Sequence, residues 1–325
     1  MVKKIIYKKW LLILISIATI SFIGCSPRVH KKTFVVSGTY LTITSADSRA
    51  ARIAYRRWSE LDNIFNNHKK GSEISKVNRN PQKKNKVSQE LIELLKLSKE
   101  VHQLTQGYFD ISQGQLYHFW KTKLNRKNIR WPSREKIKQL KNQGGVRFID
   151  INEQENTVMI AKKGLKIDLS GIAKGYMVDQ VSISLKKAGI SSALIDAGGD
   201  IYCLGSNQNK PWKIGVREPT LRHGIIEAIS LNDEAIATSG GYEQFFTYKG
   251  QRYSHLINPV TGYPVENNIA SVTVITKNCT TADSLATALY VMGFKRMNDF
   301  FSRVPSTMKV YTVVNENDQT KLYIF

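Results

Sequence analysis

Three cysteines in 325 residues, Cys25, Cys203 and Cys279, exclude a disulfide-stapled scaffold, so the fold has to rest on a hydrophobic core. A body of roughly 300 residues is long enough for that, as one large domain or as two intimately packed lobes. Acidic residues are also scarce: 26 Asp and Glu stand against 48 Lys and Arg, a formal charge of +22. Four of those lysines, Lys3, Lys4, Lys8 and Lys9, precede the first apolar run, and the balance without them is +18. Such a surface suits an anionic small substrate, an acidic partner or lipid headgroups, or is simply a solvated lysine-rich face. No residue-level repeat is visible.

The unbroken apolar or small run from Trp10 to Gly24 follows those lysines and is too short for a good membrane span. It reads as a secretory signal, residues 1–24. Its end, "FIGC", is similar to a lipobox, with Gly24 at the cleavage point and Cys25 as the lipidated first residue of the mature chain. Two or three acyl chains on one residue anchor stably where one chain binds marginally. The expectation is therefore a membrane-anchored lipoprotein facing the periplasm or the cell exterior, tethered by residues 25–33 and carrying a body at 34–325. That compartment argues against a nucleic-acid partner.

"TFVVSGTYLTITSA" reads as strand, tight turn at Gly38, and strand. Ala50, Ile53, Ala54, Trp58, Leu61 and Phe65 recur at helical spacing, with Asp47 or Ser48 as cap, and Leu91 to Leu104 marks a second helix stopped at Gly107. Between them, His68 to Lys86 reads as a polar basic linker. The basic stretch Lys121–Lys141 holds a peripheral helix opened by Pro132 and Ser133. Strand-like runs then dominate: "TVMIA", "SALIDAGG", "DIYCLG", "WKIGV", "GIIEAISL", "EQFFTY", "SVTVIT" and "MKVYTVV". Helices follow Gly171 and span about 283–292 and 295–300. The grouping predicts an α+β fold with mixed or antiparallel sheets and packed helices.

Chemistry concentrates in a few stretches. In "IDLSGIAKGYMVD", Ser170 can cap a helix, and Gly171 and Gly175 each cost it about 1 kcal/mol. Bare backbone amides and Lys174 at a helix start make room for a phosphate, with Asp168 as acidic companion. "DAGGD", 196–200, admits a ligand at Gly198 and Gly199 or is an ordinary tight turn. In "TTADSLATALYVMG", Thr280 or Thr281 can cap a helix on which Asp283 and Thr287, four apart, share one face. A carboxylate and a hydroxyl so placed suit Mg²⁺ completed by waters and phosphates; alternatively Asp283 only favours the helix N-terminus. His255, beside an Asn-Pro turn, is either a proton-handling group in a cleft or a satisfied structural histidine. Thr238, Ser239 and Gly240 offer hydroxyls and a turn to the same ligand.

In order, "SGTY", "GSEISKVN", "GYFDISQGQLYHFW", "IDLSGIAKGYMVD", "DAGGD", "GVREP", "ATSGGYEQ", "HLINPVTG" and "TTADSLATAL" resemble the ApbE family, the bacterial FAD:protein FMN transferases once called thiamine biosynthesis lipoproteins. The resemblance implies an ApbE-like mixed fold with FAD in a deep cleft and magnesium beside its pyrophosphate. It implies transfer of FMN from FAD, consumed as substrate, to a threonine or serine of an extracytoplasmic flavoprotein acceptor, with release of AMP. The metal ligands it implies are the carbonyl of Ala173 and the side chains of Asp283 and Thr287. Gly38, Thr39, Glu73, Asp110, Lys174, Asp179, Thr238 and His255 fall in motifs that line or order the nucleotide site. The chain departs from the family pattern where Ser37 replaces a methionine, His68 an aromatic, Gly241 a polar residue and Gln244 an arginine, and where "FDISQGQL", "DLSG" and "DAGGD" replace "FDPTxGPL", "DLGG" and "NAGGD". The same metal and leaving group also fit an FAD pyrophosphatase, and the same cleft a noncatalytic FAD-binding lipoprotein.

Overall fold

The structure, a computed structural model, describes residues 29–124, 130–217, 224–241, 245–304, 308–316 and 319–325. The signal 1–24, the lipobox Cys25 and the departure at Gln244 lie outside them. Its centre is an eight-stranded sheet whose order is His30–Val36, Thr39–Ser45, Ala193–Ala197, Asp200–Leu204, Glu234–Gly240, Ile269–Thr276, Lys309–Glu316 and Gln319–Ile324. Every neighbouring pair is antiparallel. The expected tether gives way sooner than 33, because His30 already pairs with Ser45.

Helices Ala50–Phe65, Ala173–Lys187, Cys279–Met292 and Phe294–Phe301 lie on one face and share the main core with the sheet. Period-2 alternation explains which residues face them: Ala193, Ile195 and Ala197 join that core, while Leu194 turns to the other face. A hairpin of Trp212–Arg217 and Ile225–Leu231 covers part of that second face through Trp212, Ile214 and Leu231, packed on Cys203, Ile236, Ile275 and Tyr311. Strand Ile269–Thr276 is buried at all eight positions because both its faces are covered. A third cluster, aromatic and separate, joins helices Gly114–Leu124 and Arg134–Lys141 to the hairpin Phe245–Tyr248 and Gln251–Ser254. Cys203 and Cys279 are both buried free thiols. Among the described residues no helix is long and apolar enough to cross a membrane.

Several local expectations are corrected. The supposed linker 68–86 contains helix Glu73–Arg79, capped by Ser72, whose hydroxyl accepts from Ser75 N; only Ile74 and Val77 supply its buried apolar side, too few for a visible periodicity. Helix Gly114–Leu124 and strand Gln319–Ile324 also went unread. Helix Ala50–Phe65 has neither Asp47 nor Ser48 as its cap, although Asp47 accepts from Arg49 N. Ser133 does cap Arg134–Lys141, accepting from Lys136 N at 3.2 Å.

Candidate active site

Helix Ala173–Lys187 and helix Cys279–Met292 meet at Gly175. A Cβ on Gly175 would lie 2.3 Å from the Cys279 carbonyl oxygen and 2.9 Å from Asp283 Cβ, so only glycine allows this approach. The space opened by Gly175 is filled by the neighbouring helix, not left for a phosphate as its position in the sequence suggested. Gly171 is likewise backed by protein: a Cβ there would meet Phe109 at 3.2 Å and Thr287 Cγ2 at 3.5 Å. In return Gly175 N–H donates to Asp283 Oδ2 at 3.0 Å. The expected caps do not operate here. Helix Ala173–Lys187 starts at Ile172 with no side-chain cap in place of Ser170, and Cys279–Met292 is capped by Asn278, which accepts from Thr281 N.

Thr280 instead serves Asp179. Asp179 accepts from Cys279 N at 2.7 Å, Thr280 N at 2.8 Å and Thr280 Oγ1 at 2.5 Å. One carboxylate on the first helix thus satisfies the orphan amides that open the second, fixing where Asp283 sits one turn later. Burial pushes the Asp179 carboxyl above the usual range, against these hydrogen bonds.

Asp283 is 5% exposed. Burial first, and Asp200 second, push its carboxyl up to about 7, partly offset by Lys174. Lys174 is ion-paired with Asp200, whose side chain is 4% exposed, while its own remains 38% exposed. Burial disfavours the Lys174 ammonium, but Asp200 and Asp283 outweigh it and hold the pKa above its usual value. Lys174 is therefore not the bare phosphate cation its position suggested: its charge balances an acidic pair. Asp200 is the member of "DAGGD" that matters, and its strand parity announces it, since it faces the helix layer together with Tyr202 and Leu204.

Thr287, one turn beyond Asp283, shares a 3.2 Å hydrogen bond with Ser239. The predicted Thr238 belongs to the opposite face, where it is exposed and bonds Thr273 at 2.8 Å. Alternation along Glu234–Gly240 makes Ser239 the hydroxyl on the site. Among the described residues no three His, Cys, Asp or Glu form a metal cluster. A carboxylate and a hydroxyl one turn apart are hard oxygen donors, and a carboxyl held up by burial beside a second carboxylate is one that a hard cation would keep ionised.

The other expected residues divide. Gly38 lies in the turn after the first strand and Thr39 opens the second, and a Cβ on Gly198 would touch Thr39 Oγ1, so this turn abuts the one that precedes Asp200. Asp110 accepts from Ser112 N at 2.8 Å and Ser112 Oγ at 2.5 Å, and its segment runs beside the "IDLSG" loop through Asp168 N to Ile111 O. Glu73 lies apart from the acids: it binds Ser88 N and Ser88 Oγ, both at 2.8 Å, locking one helix start to another. Asn78, whose side chain both accepts from Ile167 N and donates to Ile167 O, holds the same loop from beneath and was not foreseen. His255 follows strand Gln251–Ser254, half-buried, next to Ser254. Tyr290, on the Asp283 helix, reaches Ser254 and Gly241 and ties this segment to the site. Of the departures, Ser37 donates to Asp62 at 2.6 Å, His68 is exposed against Lys121, and Gly241 leaves the space that Tyr290 OH fills.

With that geometry in place, the ApbE family model matches residues 37–312. The chain belongs to the ApbE family. An FAD:protein FMN transferase of Vibrio cholerae is 34% identical over 255 residues, covering 77% of this chain and 76% of that protein. Its Escherichia coli K12 counterpart is 27% identical over 328 residues, 94% and 93% of the two chains. The solved flavin transferase ApbE of Vibrio cholerae superposes with a TM-score of 0.81 at 31% identity, covering 91% of this chain and 97% of that one. The fold is accordingly the ApbE flavin transferase fold, and the chain is an enzyme.

Proposed function

We propose that the chain is a magnesium-dependent FAD:protein FMN transferase that moves FMN onto a threonine or serine hydroxyl of a flavoprotein and releases AMP. The observation that carries this reading is the junction at Gly175, where Asp283, Thr287 and the start of helix Ala173–Lys187 converge beside the Lys174–Asp200 pair. The names of its relatives support the same activity.

Asp283, Thr287 and the Ala173 carbonyl would hold Mg²⁺, which when bound neutralises charge on the pyrophosphate as AMP departs. Asp179 keeps Asp283 in place, and Lys174 moderates the two buried carboxylates. The acceptor oxygen attacks the FMN-side phosphorus, one P–O bond forms, the P–O bond to AMP breaks, and the hydroxyl proton passes to a base. His255, at the root of the hairpin beside Ser254, is the candidate base or orienter, with a carboxylate near Asp283 as the alternative. The acceptor is extracytoplasmic, and the enzyme is anchored by lipid on Cys25. Intact mass with fatty-acid labelling tests the anchor: a lipid-free mature N-terminus elsewhere refutes it.

The deciding experiment incubates purified body with FAD, Mg²⁺ and extracytoplasmic flavoproteins of the same organism. Transfer yields an FMN-sized mass increase on one hydroxyl with stoichiometric AMP. Release of FMN and AMP indifferent to every acceptor would make it a pyrophosphatase, and tight FAD binding without AMP a storage protein.

A further inference from the structure

The third hydrophobic cluster is more than a packing satellite. Its hairpin, Phe245–Ser254, is inserted between two points of the site: the chain leaves at Ser239, which bonds Thr287, and returns at Ser254 and His255. Both ends of the insertion meet Tyr290, through Gly241 and through Ser254. Helices Gly114–Leu124 and Arg134–Lys141 complete the lobe, with Trp120 Nε1 donating to Gly262 O at 2.9 Å and Lys141 to Val260 O. Tyr117, on the first of these helices, donates to Asp110 O at 2.9 Å, so the lobe also meets the segment that carries Asp110.

Its surface differs from the rest of the molecule in charge. Among the described residues of 114–141 and 245–263 there are nine Lys and Arg and one acid, Glu135. None of the nine forms an ion pair with an acid, whereas ten of the lysines and arginines elsewhere among the described residues do. Several cations lie over rings instead: Arg252 over Phe245 at 3.6 Å, Lys249 over Tyr248 at 5.7 Å, Lys123 over Phe119 at 5.3 Å. Phe245 is 42% exposed and Val260 45%. An exposed aromatic and an exposed aliphatic among Arg and Lys suit a recognition surface, and a single-sign field beside the site steers an oppositely charged partner toward it.

We propose that this lobe is the docking surface for the acceptor, an acidic protein segment that carries the hydroxyl to be flavinylated; the proposal rests on the transferase reading above. Tyr290 and the aromatic cluster hold the lobe beside the site, and the outward cations Arg134, Lys138 and Lys249 bring the segment to it.

The test uses a short fluorescent peptide with one threonine among aspartates and glutamates, its lysine-flanked counterpart, and phosphatidylglycerol vesicles. Two triple variants carry the same charge change: Arg134→Glu/Lys138→Glu/Lys249→Glu on the lobe, and Lys187→Glu/Lys210→Glu/Lys213→Glu as control. Wild type should bind the acidic peptide in a salt-dependent way and not the basic one. The lobe variant should lose at least about tenfold in affinity and the control variant little. Thermal melts and FAD affinity should be unchanged in both, which shows that each variant folds. No binding by wild type, or equal loss in both variants, overturns the proposal. So does binding of the vesicles alone, which makes the lobe a membrane-facing surface, or loss of FAD binding in the lobe variant, which assigns the cations to FAD. A wild type that, given FAD and Mg²⁺, forms no FMN adduct on any acceptor removes the transferase reading itself.

Discussion

The Gly175 junction and the aromatic lobe treat charge in opposite ways. At the junction, the buried Asp200 and Asp283 and the half-buried Asp179 lie among two packed helices and a strand, each answered by a specific amide, hydroxyl or ammonium. In the lobe, cations stand in water without acidic partners while the rings beneath do the packing, Trp131 stacking on Tyr248 at 4.9 Å and Phe246 on Tyr253 at 5.2 Å. A buried carboxylate is costly unless paired, so every group at the junction constrains its neighbours. An exposed lysine costs almost nothing to place, so the lobe's charge pattern is free to serve recognition.

The contrast breaks first at Asp283. Asp283→Ala is expected to lower magnesium-dependent FAD consumption by about a thousandfold, roughly 4 kcal/mol in barrier, while the variant stays folded because a buried, raised carboxyl is lost with it. Metal-titrated turnover beside a thermal melt checks both halves; near-normal turnover would remove Asp283 from the site. Thr287→Val should weaken metal use less.

Glycine substitutions sharpen the comparison next. Gly175→Ala drives a Cβ into the Cys279 carbonyl, and the backbone of neither helix can yield cheaply; overpacking of this kind costs about 3 kcal/mol. In the lobe, Gly250 has φ +81 with nothing within 4 Å of a new Cβ, so Gly250→Ala should cost only about 1 kcal/mol of backbone strain. Denaturant melts of the pair measure the difference, and equal losses would mean that the helices are not in contact as described.

Acidity separates the regions as well. A carboxyl raised to about 7 in the folded, metal-free protein and near 3.8 when unfolded keeps its proton longer in the native state. Stability from this group is therefore full below about pH 4 and is lost as pH rises toward 7. Asp283→Asn should flatten that fall, and Mg²⁺, favouring the ionised form, should oppose it. Thermal melts across pH 4–8 in chelator and in magnesium read the sign directly; a metal-free protein that gains stability across this window through Asp283 would contradict the burial seen here.

Much of the fold was legible because its elements carry strong local signals. Strands such as "SVTVIT" and "SALIDA" are β-branched and apolar, and the Ala50–Phe65 helix has a clean buried stripe. Helix Glu73–Arg79 was hidden by its brevity, and Gly114–Leu124 by following a glycine and by aromatics that pack in all directions. At the site, the four-residue spacing of Asp283 and Thr287 gave the correct shared face. Sequence spacing could not reveal long-range partners: Asp179 with Thr280 is 101 residues away, Lys174 with Asp200 is 26. The sequence offered Thr238 and Ser239 alike, and one residue of strand parity decides which of the two hydroxyls meets Thr287.

The smallest expected effect lies on the lobe. Arg134 and Lys138 point outward from Arg134–Lys141, whose buried residues are Ile137 and Leu140, and neither cation is in an ion pair. Arg134→Gln with Lys138→Gln removes charge but keeps length and helix propensity, and nothing packed depends on either head group. Stability should change by less than about 0.5 kcal/mol, and FAD affinity should be unaffected. Relief of repulsion among like charges would even make the change slightly stabilising at low salt, an advantage that vanishes as salt rises. Urea melts at two ionic strengths give the answer. A loss above about 1 kcal/mol would show these cations to be structural and would erase the division between a junction whose charges are fixed by packing and a lobe whose charges are free for recognition.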